Sequence, residues 1–306
     1  MTAPRATTTS RRHLLFAAAG LSGATLAAPR GTPPAGGRLD LADPRIAVES
    51  YVKLRGSTRD ETVFQPYGGD IFAIADGAVG IPLLGFWGLQ KTRWRRAGEG
   101  AWTNQDYDLG FYVDYATREI LKRWRNPLTG EEIDVHHYRG GPSGGRFAPG
   151  ETRSTDPYGH LGGRWSTVGD QVWYTVSTWG ERPNPLPREE FPESWVGATL
   201  RNSMTTTYAG SLAALADPRV HQVRGLQVWS NTSSWQPWMR MGARPGQAQW
   251  RWIGAKGAPA GELDPRLVAA CEAAWPGYVT RDAGWKMPTS GGLDYLRARR
   301  GLPPTD

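Results

Sequence analysis

Leu109-Gly110-Phe111-Tyr112-Val113 runs into Asp114–Arg118 and out again through Glu119-Ile120-Leu121-Lys122-Arg123-Trp124. In an extended chain, alternate residues share a face. Leu109, Phe111 and Val113 then lie together on the first limb, and Ile120, Lys122 and Trp124 lie together on the return. The five residues between the limbs turn the chain, so the stretch reads as an antiparallel hairpin. Asn126-Pro127-Leu128-Thr129-Gly130 is a turn by its own chemistry, and Ile133, Val135 and His137 are expected to continue as a third strand.

The same grammar extends in both directions. Thr62-Val63-Phe64, Asp70–Ile74, Leu83–Trp87 and Trp94 precede the hairpin as short apolar runs divided by Gly, Pro and Asp. Beyond it, Gly140–Gly163 reads as a long Gly/Pro/Ser loop. Strands resume at Gln171–Trp179, where Val172, Tyr174 and Val176 oppose Trp173, Thr175 and Ser177. Thr205–Tyr208, Leu226–Ser230 and Gln249–Ile253 follow, with Pro183–Pro192 as an irregular link. Asp43-Pro44 and Asp264-Pro265 are helix starts, an N-cap followed by a residue already fixed near helical φ. The first helix carries Ala47, Val48, Tyr51 and Leu54 on one face and stops at Gly56-Ser57. The second runs to Trp275 before Pro276-Gly277, and a short last helix is expected over Leu293–Arg300. The predicted fold is mainly β: one antiparallel curved sheet or barrel-like domain over residues 41–300, with a few peripheral helices.

The chain has 306 residues, 39% of them hydrophobic, with 15 Trp, 11 Tyr and 7 Phe. That is ample core material and excludes a disordered or collagen-like chain. The 39 Gly and 24 Pro fit many turns between short elements. Of the formal charge of +7, four units belong to Arg5, Arg11, Arg12 and Arg30, and no acid occurs in the first 30 residues. The basic runs Lys91–Arg96 and Lys122–Arg125 alternate with Trp as strands do, Arg outward and Trp inward. No nucleic-acid partner is expected.

Residues 1–28 read as a cleavable export signal. Ser10-Arg11-Arg12-His13-Leu14-Leu15 leads into the uncharged, Ala- and Gly-rich run Phe16–Ala28, and the paired arginines resemble a twin-arginine signal. The run is shorter than the roughly 20 residues of a membrane span. The expectation is a periplasmic or extracellular protein without stable membrane insertion after cleavage, joined to its signal by a linker over 29–40. The twin-arginine route moves folded proteins, some already loaded with a cofactor, and the identity of any cofactor stays open. Cys271 is the sole cysteine, so no intramolecular disulfide forms. Its neighbours Val268, Ala270 and Ala274 mark it as a small buried apolar residue rather than a thiolate nucleophile.

Three segments carry a likeness: Tyr51–Ser57 (YVKLRGS), Trp124–Glu131 (WRNPLTGE), and Trp238–Gly242 (WMRMG) with Arg244-Pro245-Gly246. In this order behind an export signal, the chain resembles the bacterial family called domain of unknown function 1838, over roughly residues 41–290. The resemblance implies a single domain and brings no reaction, cofactor or catalytic residue with it.

Among groups that could do chemistry, Asp134, His136, His137 and His160 invite a metal reading. Adjacent His136 and His137 point to opposite faces if extended, and no paired-ligand spacing occurs, so no metal site is expected. Gly141-Pro142-Ser143-Gly144-Gly145 has the letters of a nucleophile elbow without its preceding strand and following helix. No phosphate-binding glycine loop opens a helix. The unusual feature is aromatic: Trp229, Trp235, Trp238, Trp250 and Trp252 with Met239 and Met241. The first reading is therefore a cavity that binds a small apolar or amphipathic molecule through Trp229, Trp235, Trp238 and Trp250, with Arg240 to pair a ligand carboxylate. One alternative is a cofactor-independent enzyme on the same scaffold, using His136 or His137 with Asp70 or Tyr67 for proton transfer. Another is a carbohydrate-binding module, which would want a row of exposed Trp faces.

Overall fold

The computed structural model describes residues 39–75, 79–151, 162–281 and 292–303, with side chains undescribed at 292–295. Residues 1–28 and most of the 29–40 linker, as well as His160, lie outside the described residues. The elements run α1 (Pro44–Arg55), β1 (Thr62–Ile74), β2 (Ile81–Arg96), β3 (Trp102–Val113), β4 (Arg123–Arg125), β5 (Glu132–Asp134), β6 (Tyr138–Ser143) and β7 (Arg146–Phe147). They continue with β8 (Arg164–Val168), β9 (Gln171–Pro183), β10 (Thr199–Ser211), α2 (Leu212–Ala216), β11 (Gly225–Ser233), β12 (Gln247–Lys256), α3 (Pro265–Ala274) and α4 (Gly292–Arg299).

Ten strands form one sheet in the order β6–β3–β2–β1–β12–β11–β10–β9–β8, with β7 also on β3, and β4–β5 form a separate ribbon. Every ladder is antiparallel, and none joins β8 back to β6 among the described residues. The sheet is open but strongly curled. Five strand-to-strand steps separate β2 from β9, which in a flat sheet is about 24 Å. Yet the Tyr51 ring of α1 lies 6.0 Å from Trp94 on β2 and 5.1 Å from Tyr174 on β9. The sheet must wrap around α1 for one ring to reach both. The predicted curved antiparallel sheet is what forms.

Both helix starts arise as expected. Asp43 accepts from the Arg45 and Ile46 amides and Asp264 from the Arg266 amide, which satisfies donors that a first helical turn leaves unpaired. Helix α1 plugs one end of the curl, where Tyr51 also meets Phe147 and Tyr208. Helix α3 covers the convex side of the β1–β3 region, burying Leu267 and Cys271 against Phe64, Leu89 and Leu109. Three buried lysines tie these parts together by donating to backbone carbonyls, which offsets the cost of burying an ammonium. Lys53 reaches Leu215 and Asp217, Lys256 reaches Lys53 and Val223, and Lys91 reaches Tyr278 and Arg281. No helix among the described residues is long and apolar enough to cross a membrane.

Two expectations need correction. The return limb of the hairpin bonds to β3 only as far as Ile120 and Leu121. Its continuation pairs instead with β5, so Trp124 meets Ile133. The stretch from Gly140 is not loop at its start, because β6 and β7 lie along β3. Its glycines make that possible. A Cβ at Gly144 would stand 2.1 Å from the Asn104 carbonyl oxygen, and one at Gly141 2.5 Å from that of Asp106. Residues that read as loop are there for close approach of backbones.

Candidate functional site

Direct cross-strand partners share a face, so the ladder registers sort the concave side residue by residue. One level runs Tyr112–Phe86–Gly69–Trp252–Trp229–Thr206–Val176 across β3, β2, β1, β12, β11, β10 and β9. The adjoining level toward α1 runs Gly110–Gly88–Tyr67–Gly254–Gln227. Tyr67 therefore sits among glycines, and its ring lies over the neighbouring strand. It stacks on Phe86 at 5.7 Å and on Trp252 at 4.6 Å, and Trp252 stacks on Trp229 at 5.4 Å. Four rings from four strands make a continuous ladder, in which Trp252 and Trp229 stay half-exposed on the concave side.

The Tyr67 hydroxyl crosses β2 and donates to Asp108 Oδ1 at 2.7 Å. Asp108 is half-buried. Burial pushes its carboxyl up to about 7, against the pull of the Tyr67 hydrogen bond, and Asp106 two residues back adds to the rise. Burial likewise raises the Tyr67 phenol well above its usual range, helped by the carboxylate beside it. Asp106 faces the same way but is committed elsewhere: it pairs with Arg55 from the end of α1 and accepts from Asn104 Nδ2 at 2.7 Å. Deeper still, Gln65 donates to Gln227. The curl thus has an aromatic plug, a polar belt, and then the ring ladder with Asp108 beside it.

Glycine at 88 is a condition of this geometry. A Cβ there would stand 2.3 Å from the Tyr67 hydroxyl and 2.4 Å from the Leu109 carbonyl oxygen. Gly88→Ala is expected to displace the Tyr67 ring and cost about 1–3 kcal/mol, the usual range for overpacking. Urea denaturation followed by tryptophan fluorescence measures it. An unchanged midpoint would show that the ring has room the structure denies it.

The far end of the curl is closed by the β4–β5 ribbon and the segment 235–246, which dock on each other. Asn126 Nδ2 donates to the Met239 carbonyl at 2.9 Å, Trp124 meets Trp238 edge-on at 5.8 Å, and Arg240 reaches Glu131 at 3.5 Å. Trp235, Trp238 and Trp250 are buried here, their indoles spent on packing, and Trp238 Nε1 donates to the Tyr112 hydroxyl at 3.3 Å. Arg240 is exposed beside Glu131. Of the five tryptophan-region residues picked from the sequence, Trp229 joins the ladder. Its partner Trp252 was in the same cluster, and the period-2 alternation of Gln249–Ile253 already put it on Trp250's face.

Of the proton-transfer candidates, Tyr67 lies at the site, whereas Asp70 falls on the convex side opposite Gly85 and pairs with Arg118 at 2.5 Å. Tyr67 and Asp70, three apart on β1, therefore lie on opposite faces of the sheet. His137 sits at the β3 edge, where its Nδ1 accepts from the Tyr112 amide at 3.2 Å. Burial, with Arg139 adding to it, pushes this imidazole down to about 4, so it is neutral at pH 7. His136 is half-buried next to it in the link from β5 to β6. No group of three metal-ligating side chains converges among the described residues, and Asp134 is engaged by Arg123 and Arg299. Cys271 is buried, with its thiol pushed up to about 12 by burial. Asp108 is the residue the sequence reading missed.

The family model described as "Protein of unknown function (DUF1838)" matches residues 60–298. The match takes in Trp124–Glu131 and Trp238–Gly246, which meet at the far end of the curl, while Tyr51–Ser57 precedes it. No curated protein matches the chain.

Proposed function

The chain belongs to the DUF1838 family, whose description assigns no activity, and from its geometry we propose that it binds a small, planar, largely apolar molecule on the concave side of the curled sheet. The observation that carries this reading is the Tyr67–Trp252–Trp229 ladder with its last two rings half-exposed. Stacked indoles present a wide, rigid apolar surface that loses little conformational freedom on binding. The export signal read in residues 1–28 would place this binding outside the cytoplasm.

The uncharged fluorophore N-phenyl-1-naphthylamine tests it, since its emission rises on leaving water. Binding is expected, with Trp229→Ala weakening it tenfold or more, equivalent to about 1.4 kcal/mol. Trp179→Ala is the control, because Trp179 is 80% exposed on the convex face of β9, and it should leave affinity unchanged. Equal affinity in the Trp229 variant would remove the ladder from the explanation. Retention on insoluble polysaccharide, lost with Trp179, would favour a carbohydrate-binding surface in its place.

A further inference from the structure

We propose that a polar pocket on the convex side of β2 and β3, walled by β6, binds a small hydroxylated carboxylate of the sugar-acid type through Arg95. The pocket has a volume of about 320 Å³ and is lined by Arg93 and Arg95 of β2, Thr103 and Gln105 of β3, and Ser143 of β6. That volume stands at the small end of the roughly 300–1,000 Å³ of ligand sites, which suits a monosaccharide rather than a polymer. The ladder explains the placement. Arg93 lies opposite Gln105 and Arg95 opposite Thr103. Trp94 and Asn104, between them, turn into the curl, so the four polar side chains stand together outside it. The sheet therefore separates this pocket from the ring ladder on the concave side.

Asp60, in the link from α1 to β1, bonds both arginines. Its two oxygens accept from Arg95 Nε at 3.1 and 3.2 Å, and Oδ1 also accepts from Arg93 Nε. Arg95 is thus held through Nε, and its two Nη nitrogens have no partner among the described residues. A guanidinium presents such a pair as parallel donors that match the two oxygens of a carboxylate. Asp60 and Arg95 are both half-exposed, and pairs of this kind add little to stability. Asp60 also selects among anions. Its charge opposes a second negative charge close by, which favours a carboxylate over a phosphate monoester carrying nearly two charges at pH 7. The remaining wall suits hydroxyl groups. Gln105 and Ser143 are half-buried and make no side-chain hydrogen bond among the described residues. Thr103 Oγ1 donates to the Arg95 carbonyl at 3.5 Å and keeps its lone pairs for an acceptor role. No aromatic ring among the described residues lines the pocket, so hydrogen bonds rather than stacking meet the ligand's frame.

Isothermal titration calorimetry at low ionic strength tests this with methyl β-glucuronide and methyl β-glucoside, which differ only in carboxylate against hydroxymethyl. The glucuronide is expected to bind at least tenfold more tightly than the glucoside, and tenfold more tightly than acetate, which brings the charge without the hydroxyls. Added salt should weaken it, since the contact is partly exposed. Arg95→Gln should weaken the glucuronide tenfold or more, with an unchanged urea midpoint to show that the fold is kept. Arg201→Gln is the control, because Arg201 pairs with Glu181 on β9, far from the pocket in strand order, and it should stay within twofold of wild type. Absence of glucuronide binding overturns the proposal, as does equal affinity for the glucoside, for acetate or in Arg95→Gln. Tighter binding of glucose 6-phosphate overturns the carboxylate assignment. Displacement of N-phenyl-1-naphthylamine by the glucuronide would move it to the concave side and overturn the pocket, whereas failure of the naphthylamine to bind leaves this pocket standing.

Discussion

Tyr51→Ala is expected to destabilise the protein by about 3–5 kcal/mol, the range for removing a large buried aromatic side chain. Tyr51 is 1% exposed and contacts Trp94, Phe147, Tyr174 and Tyr208, rings drawn from β2, β7, β9 and β10. Those strands are brought together only by the curl, so truncation removes the body around which the sheet wraps. At about 2–4 °C per kcal/mol for a domain of this size, the melting temperature should fall by roughly 10 °C. Tyr51→Phe separates packing from polarity. It keeps every ring contact and loses the bond that the Tyr51 hydroxyl accepts from Arg55 Nη1 at 3.3 Å, costing about 1 kcal/mol. A loss below 1 kcal/mol in the alanine variant would mean that the strands hold their curvature without the plug.

What could be read from the sequence follows from how local each signal is. Asp43-Pro44 and Asp264-Pro265 announce helices because capping is settled within three or four residues. The Val172/Tyr174/Val176 alternation announces a strand because one face is buried there and the opposite one is not. Edge strands β6 and β7 were hidden for the converse reason: their signal is the absence of side chains, and Gly140, Gly141 and Gly144 resemble linker until a partner strand is known. Asp108 was hidden by the usual meaning of alternation. In Asn104–Phe111 the polar residues Asn104, Asp106 and Asp108 alternate with Tyr107, Leu109 and Phe111, which reads as solvent outside and core inside. The reverse holds because α3 covers the apolar convex side and the polar set turns into the curl. The available clue was that Trp102 and Tyr112 lie on the same face as those acids, an apolar residue at each end of a polar run. Tyr67 could be named as a candidate, but its partner lies 41 residues away, a distance that only the β1–β2–β3 register closes.

Arg55→Met should be as severe as Tyr51→Ala, by a different mechanism. Arg55 and Asp106 are both buried, 6% and 3% exposed, and bonded to each other. Removing the cation leaves a carboxylate in the interior with Asn104 as its remaining named partner, and breaking such a pair from one side typically costs about 3–5 kcal/mol. The loss should depend on pH in a defined sense. A carboxylate stripped of its cation binds a proton more tightly in the folded than in the unfolded chain, so the variant recovers stability as pH falls and loses it as pH rises. Urea midpoints at pH 5 and pH 8 measure the difference, and a penalty equal at both would show that Asp106 is not left charged. Arg55→Met with Asp106→Leu should be more stable than Arg55→Met alone, since an apolar pair needs no counter-charge. The pair also has a consequence for the site. Asp106 and Asp108 stand two residues apart on one strand face, about 7 Å between their Cα atoms, and the charge of Asp106 already raises Asp108. With Arg55 in place that charge is balanced at source. Without it, Asp106 and Asp108 would compete for one proton. The α1 plug therefore fixes the electrostatics of the curl's concave side as well as its curvature.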